Sequence, residues 1–241
     1  GARHQRGEAE HAEQGDIKHV RVGCGKSTVD DQLQALADHD LAAGGDDECD
    51  GAVAAGVGQI IYTSFLGAAE DCTFTLGRDH WATEQYIRES GAAFTFLRDN
   101  FYLDFLPKMA GKDGVIRGPA GDGRVSAVTR HDIARVAAAV LGEPSAHAGR
   151  SYDLTGPESL SLEEVAAAIT EKGDRRVRFH DETIEEAYES RSPYGAPDWQ
   201  VDAWVSTYTA IAAGEVAEVS GAVEDVTGTP PLSLGAYLEN P

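Results

Sequence analysis

The sequence predicts an α/β protein: a parallel sheet, followed by a smaller α/β part. Two apolar runs, Gln59–Phe65 (QIIYTSF) and Phe94–Arg98 (FTFLR), flank a polar helical stretch that ends at Gly91. That is the strand–helix–strand order of parallel strands. Both runs are apolar enough to be buried on two faces. Beyond them, short strand-like runs alternate with helices that carry their own start signals, as in a small mixed appendage.

The elements follow in order. Residues 1–50 contain no Phe, Trp, Tyr or Met, hold four of the eight histidines and show no regular apolar period. They read as disordered apart from a weak strand at Ile17–Val22 and a weak helix at Val29–Ala37. Their composition suits either a divergent arm or a stretch read out of frame in GC-rich DNA. From residue 51 the local signals agree with one another. A short helix feeds the first strand. Arg78–Ser90 forms the next helix, capped by Gly91, with His80 and Glu84 four apart on one face. After the second strand comes a glycine-rich connection, Gly111–Gly123 (GKDGVIRGPAGDG). Arg130–Leu141 is an amphipathic helix with Ile133, Val136, Ala137 and Val140 on its stripe.

The second half reads as a short strand at Tyr152–Leu154, a capping box of Ser161 and Glu164 opening a helix, and a strand at Val177–Phe179. A second capping box, Thr183 and Glu186, opens the next helix. Asp198 is expected to cap the one after, where Val201, Trp204, Val205, Tyr208 and Ile211 share a face. A last element, Ser233–Leu238, follows Pro230–Pro231. The chain therefore divides into an atypical segment 1–50, a core of dinucleotide-binding type at 51–150 and a small α/β cap at 151–241. The whole is Rossmann-like, with its N-terminal part incomplete or divergent.

Composition narrows the function classes. A net charge of −21 argues against a nucleic-acid partner and against an anionic membrane surface. No run of about eighteen apolar residues is available to span a bilayer, and no secretory leader is legible. Three cysteines, Cys24, Cys49 and Cys72, make neither a disulfide framework nor a metal knuckle, so no metal is expected and a cytoplasmic setting fits.

The fragment GCGKST (Gly23–Thr28) lacks the glycine that a P-loop needs five residues before Gly25, where Val20 stands. No G-x-G-x-x-G or G-x-x-G-x-x-G turn occurs anywhere, although a dinucleotide site normally opens with one. No Tyr-x-x-x-Lys pair occurs either.

The blocks IIYTSF, HWATEQYIRESGAAFTFLRDNFY, GDGRVSAVTRHDIARVAAAVL and YDLTGPESLSLEEVAAAI resemble the NmrA-like atypical short-chain dehydrogenases, in family order from residue 51 on. The branch they are most similar to holds NADPH-dependent quinone oxidoreductases and triphenylmethane reductases. The resemblance implies NADP(H) as cofactor and hydride transfer to a quinone or similar flat small-molecule acceptor. Other members only sense the cofactor, so a non-catalytic NADP-sensing or protein-binding regulator, or a product without a cofactor site, stands as the alternative.

By the same resemblance Ser64 and Phe65 would lie near the nicotinamide. Asn100, Phe101, Tyr102, Leu103 and Asp104 would line the cleft, and Arg130 would help hold the cofactor. His80 and Tyr102 are the candidate catalytic residues. For each a bland reading stands beside the functional one: a strand-end hydroxyl for Ser64, a helix histidine paired with Glu84 for His80, and a core aromatic for Tyr102. Arg98 reads as a structural salt bridge. Trp199, Trp204 and Tyr208 read as core packing or a homodimer face.

Overall fold

A computed structural model describes residues 49–239. The expectations for residues 1–48, including Ile17–Val22, Val29–Ala37 and the GCGKST fragment, lie outside the described residues. The helical turn at 49–54 leads through Gly58 into β1 (Gln59–Phe65). Helix α1 (Thr75–Glu89) crosses back to β2 (Ala93–Asp99). Gly91, at φ 77°, takes the left-handed turn that ends α1. Strand β3 (Val115–Gly118) and the short β4 (Arg124–Val125) precede α2 (Arg130–Gly142), whose N-cap Thr129 accepts from the Asp132 amide.

Strand β5 (Arg150–Leu154) returns to the main sheet, and β6 (Leu160–Ser161) leads into α3 (Leu162–Lys172). Then come β7 (Arg178–Asp181), α4 (Ile184–Arg191), α5 (Asp198–Ala212), α6 (Ala222–Thr227) and α7 (Leu234–Glu239). Both expected capping boxes form, Ser161 with Glu164 and Thr183 with Glu186.

The main sheet runs β1-β2-β5, all parallel, with Phe65 opposite Asp99 and Asp99 opposite Leu154. Strand alternation splits its side chains between two layers. Phe96 joins Ile87 of α1 and Cys49 on one face, with Phe94, Ile60 and Tyr62 beside them. Leu97 and Leu154 join Val136, Ala137 and Val140 of α2 and Val223 of α6 on the other. A third core lies beyond the carboxyl ends of the strands, between Phe65, Phe74, Leu103, Leu106 and the α3 residues Leu162, Val165 and Ile169. This is a Rossmann-like α/β arrangement, with helices on both faces of a parallel sheet.

Four expectations are corrected. β1 is enclosed only at Ser64 and Phe65, with Gln59–Tyr62 half-buried and Thr63 exposed. Among the described residues it has a strand neighbour, β2, on one side only. Pro197, not Asp198, is the N-cap of α5; Asp198 sits in its first turn, where a carboxylate favours the helix dipole. Of the face expected on α5, only Val205 and Ile211 are buried, alongside Gln200, Ala203, Ser206 and Ala210, and Trp199 is 46% exposed. Glu84 does not pair with His80; it turns into the protein, as described below.

The two halves also interlock. β3 pairs in parallel with β7, β4 pairs with β6, and β5 crosses residue 150. A line drawn at 150 therefore cuts a strand of the main sheet.

Candidate functional site at the carboxyl ends of the strands

Four connections meet where β1, β2 and β5 end: residues 66–74, 100–104, 126–129 and 213–218. Hydrogen bonds lace them together. The Asn100 side chain donates to the Ser126 carbonyl at 3.1 Å, the Ser126 hydroxyl at 2.8 Å and the Val216 carbonyl at 2.9 Å, and it accepts from the Phe101 amide at 2.8 Å. The Ser126 hydroxyl donates in turn to the Glu218 carbonyl at 2.6 Å. Across the mouth, the Glu215 carboxylate takes the Thr73 amide at 2.9 Å and the Thr73 hydroxyl at 2.6 Å. Such backbone-directed bonds satisfy loop groups that neither sheet nor helix can reach.

Within this frame stands an aromatic cluster. Phe65, at the end of β1, lies 4.6 Å from Phe74 and 5.0 Å from Phe101 between ring centroids, and Phe74 meets Phe101 edge-on at 5.2 Å. The His80 imidazole lies nearly parallel to Phe65, at 6.4 Å and 20°. Its Nδ1 is 2.8 Å from the Tyr62 hydroxyl. Burial is the main cause that pushes the Tyr62 phenol up to about 12, so the phenol stays protonated at any physiological pH.

One turn further along α1, Glu84 is fully buried and saturated. It accepts from the Ser64 hydroxyl at 2.6 Å and from Arg98 at 2.8 and 2.6 Å in bidentate fashion, with Arg88 at 3.7 Å. The bond to Glu84 is the main cause that raises the Arg98 guanidinium above its ordinary value. This clamp locks α1, and His80 with it, onto the ends of β1 and β2.

The sequence candidates separate accordingly. Phe65, Phe101 and His80 come together in the aromatic cluster, and Tyr102 is 41% exposed beside it in sequence. Ser64 is held by Glu84, and Asn100 spends its amide inside the frame. Leu103 is buried core. Asp104 accepts from the Arg130 amide at 2.9 Å and faces the Arg130 guanidinium at 3.8 Å, which aligns the start of α2 behind the cluster. Arg98 makes the structural salt bridge that the sequence suggested.

Tyr62, Phe74 and Glu215 also shape this region. A strand tyrosine and an aromatic next to a helix start carry no sequence signal that separates them from core, and Glu215 meets Thr73 across 142 positions.

At the end of β2, Asp99 is 3% exposed and neither carboxylate oxygen has a partner. Burial raises its carboxyl well above the ordinary range. An open depression over Gly121, Asp122, Arg124, Ser161, Glu163, Phe179 and Asp181 lies on the small sheets. Among the described residues no His, Cys, Asp and Glu group could hold a metal, and no helix is long and apolar enough to cross a membrane.

Residues 38–198 match a sequence model described as the NmrA-like family. The NAD(P)H azoreductase of Xenophilus azovorans is 35% identical over 188 residues, which cover 77% of this chain and 65% of that protein. The chain thus spans less than two thirds of that relative's length. The Escherichia coli NADPH-dependent quinone oxidoreductase QOR2, complexed with NADPH, matches at TM-score 0.74 and 28% identity, over 81% of this chain and 69% of that one. The Citrobacter triphenylmethane reductase complexed with NADP(H) matches at TM-score 0.71 and 27% identity, over 83% and 72% respectively.

Proposed function

The chain belongs to the NmrA-like family, and on that premise we propose that it is an NAD(P)H-dependent reductase that delivers hydride to a flat, conjugated acceptor of the quinone or dye type. The observation that carries the proposal is the aromatic cluster of Phe65, Phe74 and Phe101 with His80 beside it, at the carboxyl ends of parallel strands. Ligands of open α/β sheets bind at that end. Flat apolar acceptors are held by aromatic walls with few polar groups. The relatives named for azo, quinone and triphenylmethane substrates support the acceptor class, and those complexed with NADPH and NADP(H) support the phosphorylated cofactor.

In this reading the nicotinamide end of the cofactor lies by half-buried Phe101, with buried Phe65 behind it. Nothing in the sequence supplies the glycine turn that usually cradles the pyrophosphate. When bound, the cofactor supplies the hydride. In this reading the chain's own residues do the rest. Half-buried Phe101 borders the acceptor, and buried Phe65 and Phe74 pack behind it and exclude water. His80 donates a hydrogen bond to the acceptor oxygen as negative charge develops there. Exposed Tyr102 borders the acceptor, and Arg130 supports the cofactor.

Fluorescence titration of the full chain with NADPH and NADH tests the cofactor half. Saturable NADPH binding, tighter than NADH, is expected. Saturable binding with no turnover of any quinone or azo acceptor would favour a cofactor-sensing regulator. No binding of either nucleotide would overturn the proposal.

A further inference from the structure

Four of the eight large hydrophobic side chains that stand exposed among the described residues lie within residues 184–199: Ile184, Tyr188, Tyr194 and Trp199. They form one surface on the outside of α4 and the start of α5. Ile184 and Tyr188 are four apart on α4, of whose residues only Ala187 and Arg191 are buried. The Tyr188 hydroxyl donates to Asp202 of α5 at 2.7 Å, and Trp199 stands one turn before Asp202 on the same helix. Tyr194, 72% exposed in the turn between the helices, meets Trp204 edge-on at 5.8 Å. A contiguous apolar patch with a polar rim marks an interaction site.

The rim sets the sign of the partner. Glu185, Glu189 and Asp198 are exposed carboxylates in the same stretch, and among the described residues none of the three has an ion-pair partner. From residue 179 to the end of the sequence the only Lys or Arg is Arg191, which is buried and committed to Glu182 at 2.9 Å. Arg117, near Tyr194, is paired with Asp113 at 2.6 Å. Guanidinium groups stack on aromatic faces and pair with carboxylates, so aromatic rings among uncompensated carboxylates fit arginine. We infer that the outer face of α4 and the start of α5 docks a protein segment that presents arginine among apolar side chains. A second copy of this chain is the poorer occupant, because a two-fold contact would set the same carboxylates against each other in a chain of net charge −21. None of these residues belongs to the aromatic cluster, so the inference stands apart from the reductase reading.

Fluorescence anisotropy of a labelled peptide of alternating arginine and leucine, titrated with the full chain, tests this. Saturable binding is expected, weakened by salt and lost when glutamate replaces arginine. A peptide of alternating arginine and glycine should bind at least about five-fold more weakly, because it has no apolar anchors. Tyr194→Ala with Trp199→Ala should weaken the arginine–leucine peptide at least about ten-fold, the scale of lost aromatic anchors. Glu189→Lys with Asp198→Lys should weaken it likewise, whereas Glu224→Lys with Asp225→Lys on α6 should leave it unchanged. All six positions are exposed, and a melting curve of each variant checks that it folds. No saturable binding, equal weakening by the α6 pair, or glycine serving as well as leucine would overturn the inference. So would a dimer in sedimentation velocity that Trp199→Ala dissolves, since the face would then belong to a second copy.

Discussion

Replacing Arg98 with Met strips the Glu84 carboxylate of its bidentate partner while keeping an apolar stem of similar length. Glu84 has no exposure, and its remaining partners are the Ser64 hydroxyl at 2.6 Å and Arg88 at 3.7 Å. Removing one member of a buried pair costs about 3–5 kcal/mol, because the other charge is left without compensation. The Arg98 side chain is 24% exposed, and Arg88 can close in on the carboxylate, which brings the cost to about 2–3 kcal/mol. For a chain of this length each kcal/mol moves the melting temperature by about 2–4 °C, so Arg98→Met should melt roughly 5–10 °C below wild type. The assay is thermal unfolding at pH 7, followed by circular dichroism. The double variant Glu84→Met with Arg98→Met supplies the control. Two apolar residues of matching volume leave no stranded charge, so the double variant should recover most of the loss. A single variant within about 2 °C of wild type, or a double variant no better than the single, would refute the reasoning.

Two further outcomes concern a buried acid and a tightly packed glycine. Asp99 is buried with no partner and burial raises its carboxyl, so the folded state holds its proton more tightly than the unfolded chain does. Its contribution to stability is therefore full below the ordinary carboxylate range and is lost as pH climbs through the raised value. Asp99→Asn should flatten that decline and melt higher than wild type at pH 8; parallel melting curves from pH 4 to 8 would contradict this. At Gly118, a Cβ would run into the Tyr208 ring, which Arg191 covers from 5.1 Å. Gly118→Ala should therefore cost about 1–3 kcal/mol through overpacking, read by urea unfolding, and an unchanged midpoint would contradict the packing described.

What was legible in the sequence were features written in local order. Ser161–Glu164 and Thr183–Glu186 announce two helices, Gly91 ends α1, and the QIIYTSF and FTFLR runs give the parallel pair. Illegible features were those decided by partners far along the chain. Nothing in HWATEQYIRES says that Glu84 alone of its polar residues turns inward, because the reason is Arg98 on another strand. The β3–β7 pairing joins Val115–Gly118 to Arg178–Asp181, a distance along the chain that no local pattern encodes. Trp199 counts as apolar in any periodic pattern, yet it stays 46% exposed while Ala203, Val205, Ala210 and Ile211 of the same helix are buried. Of the candidate site residues, Phe65, Phe101 and His80 lie together, a proximity that no local pattern in the sequence encodes, whereas Asn100 and Ser64 are spent on holding the frame.

Steady-state oxidation of NADPH by the full chain, with a naphthoquinone as acceptor and wild type set against His80→Gln, tests the central claim most directly. The account predicts turnover that saturates in both substrates and falls at least ten-fold (roughly the contribution of one positioned donor) in the variant, with NADPH binding retained. Binding of NADPH with no turnover by wild type, or equal turnover by both proteins, would contradict it.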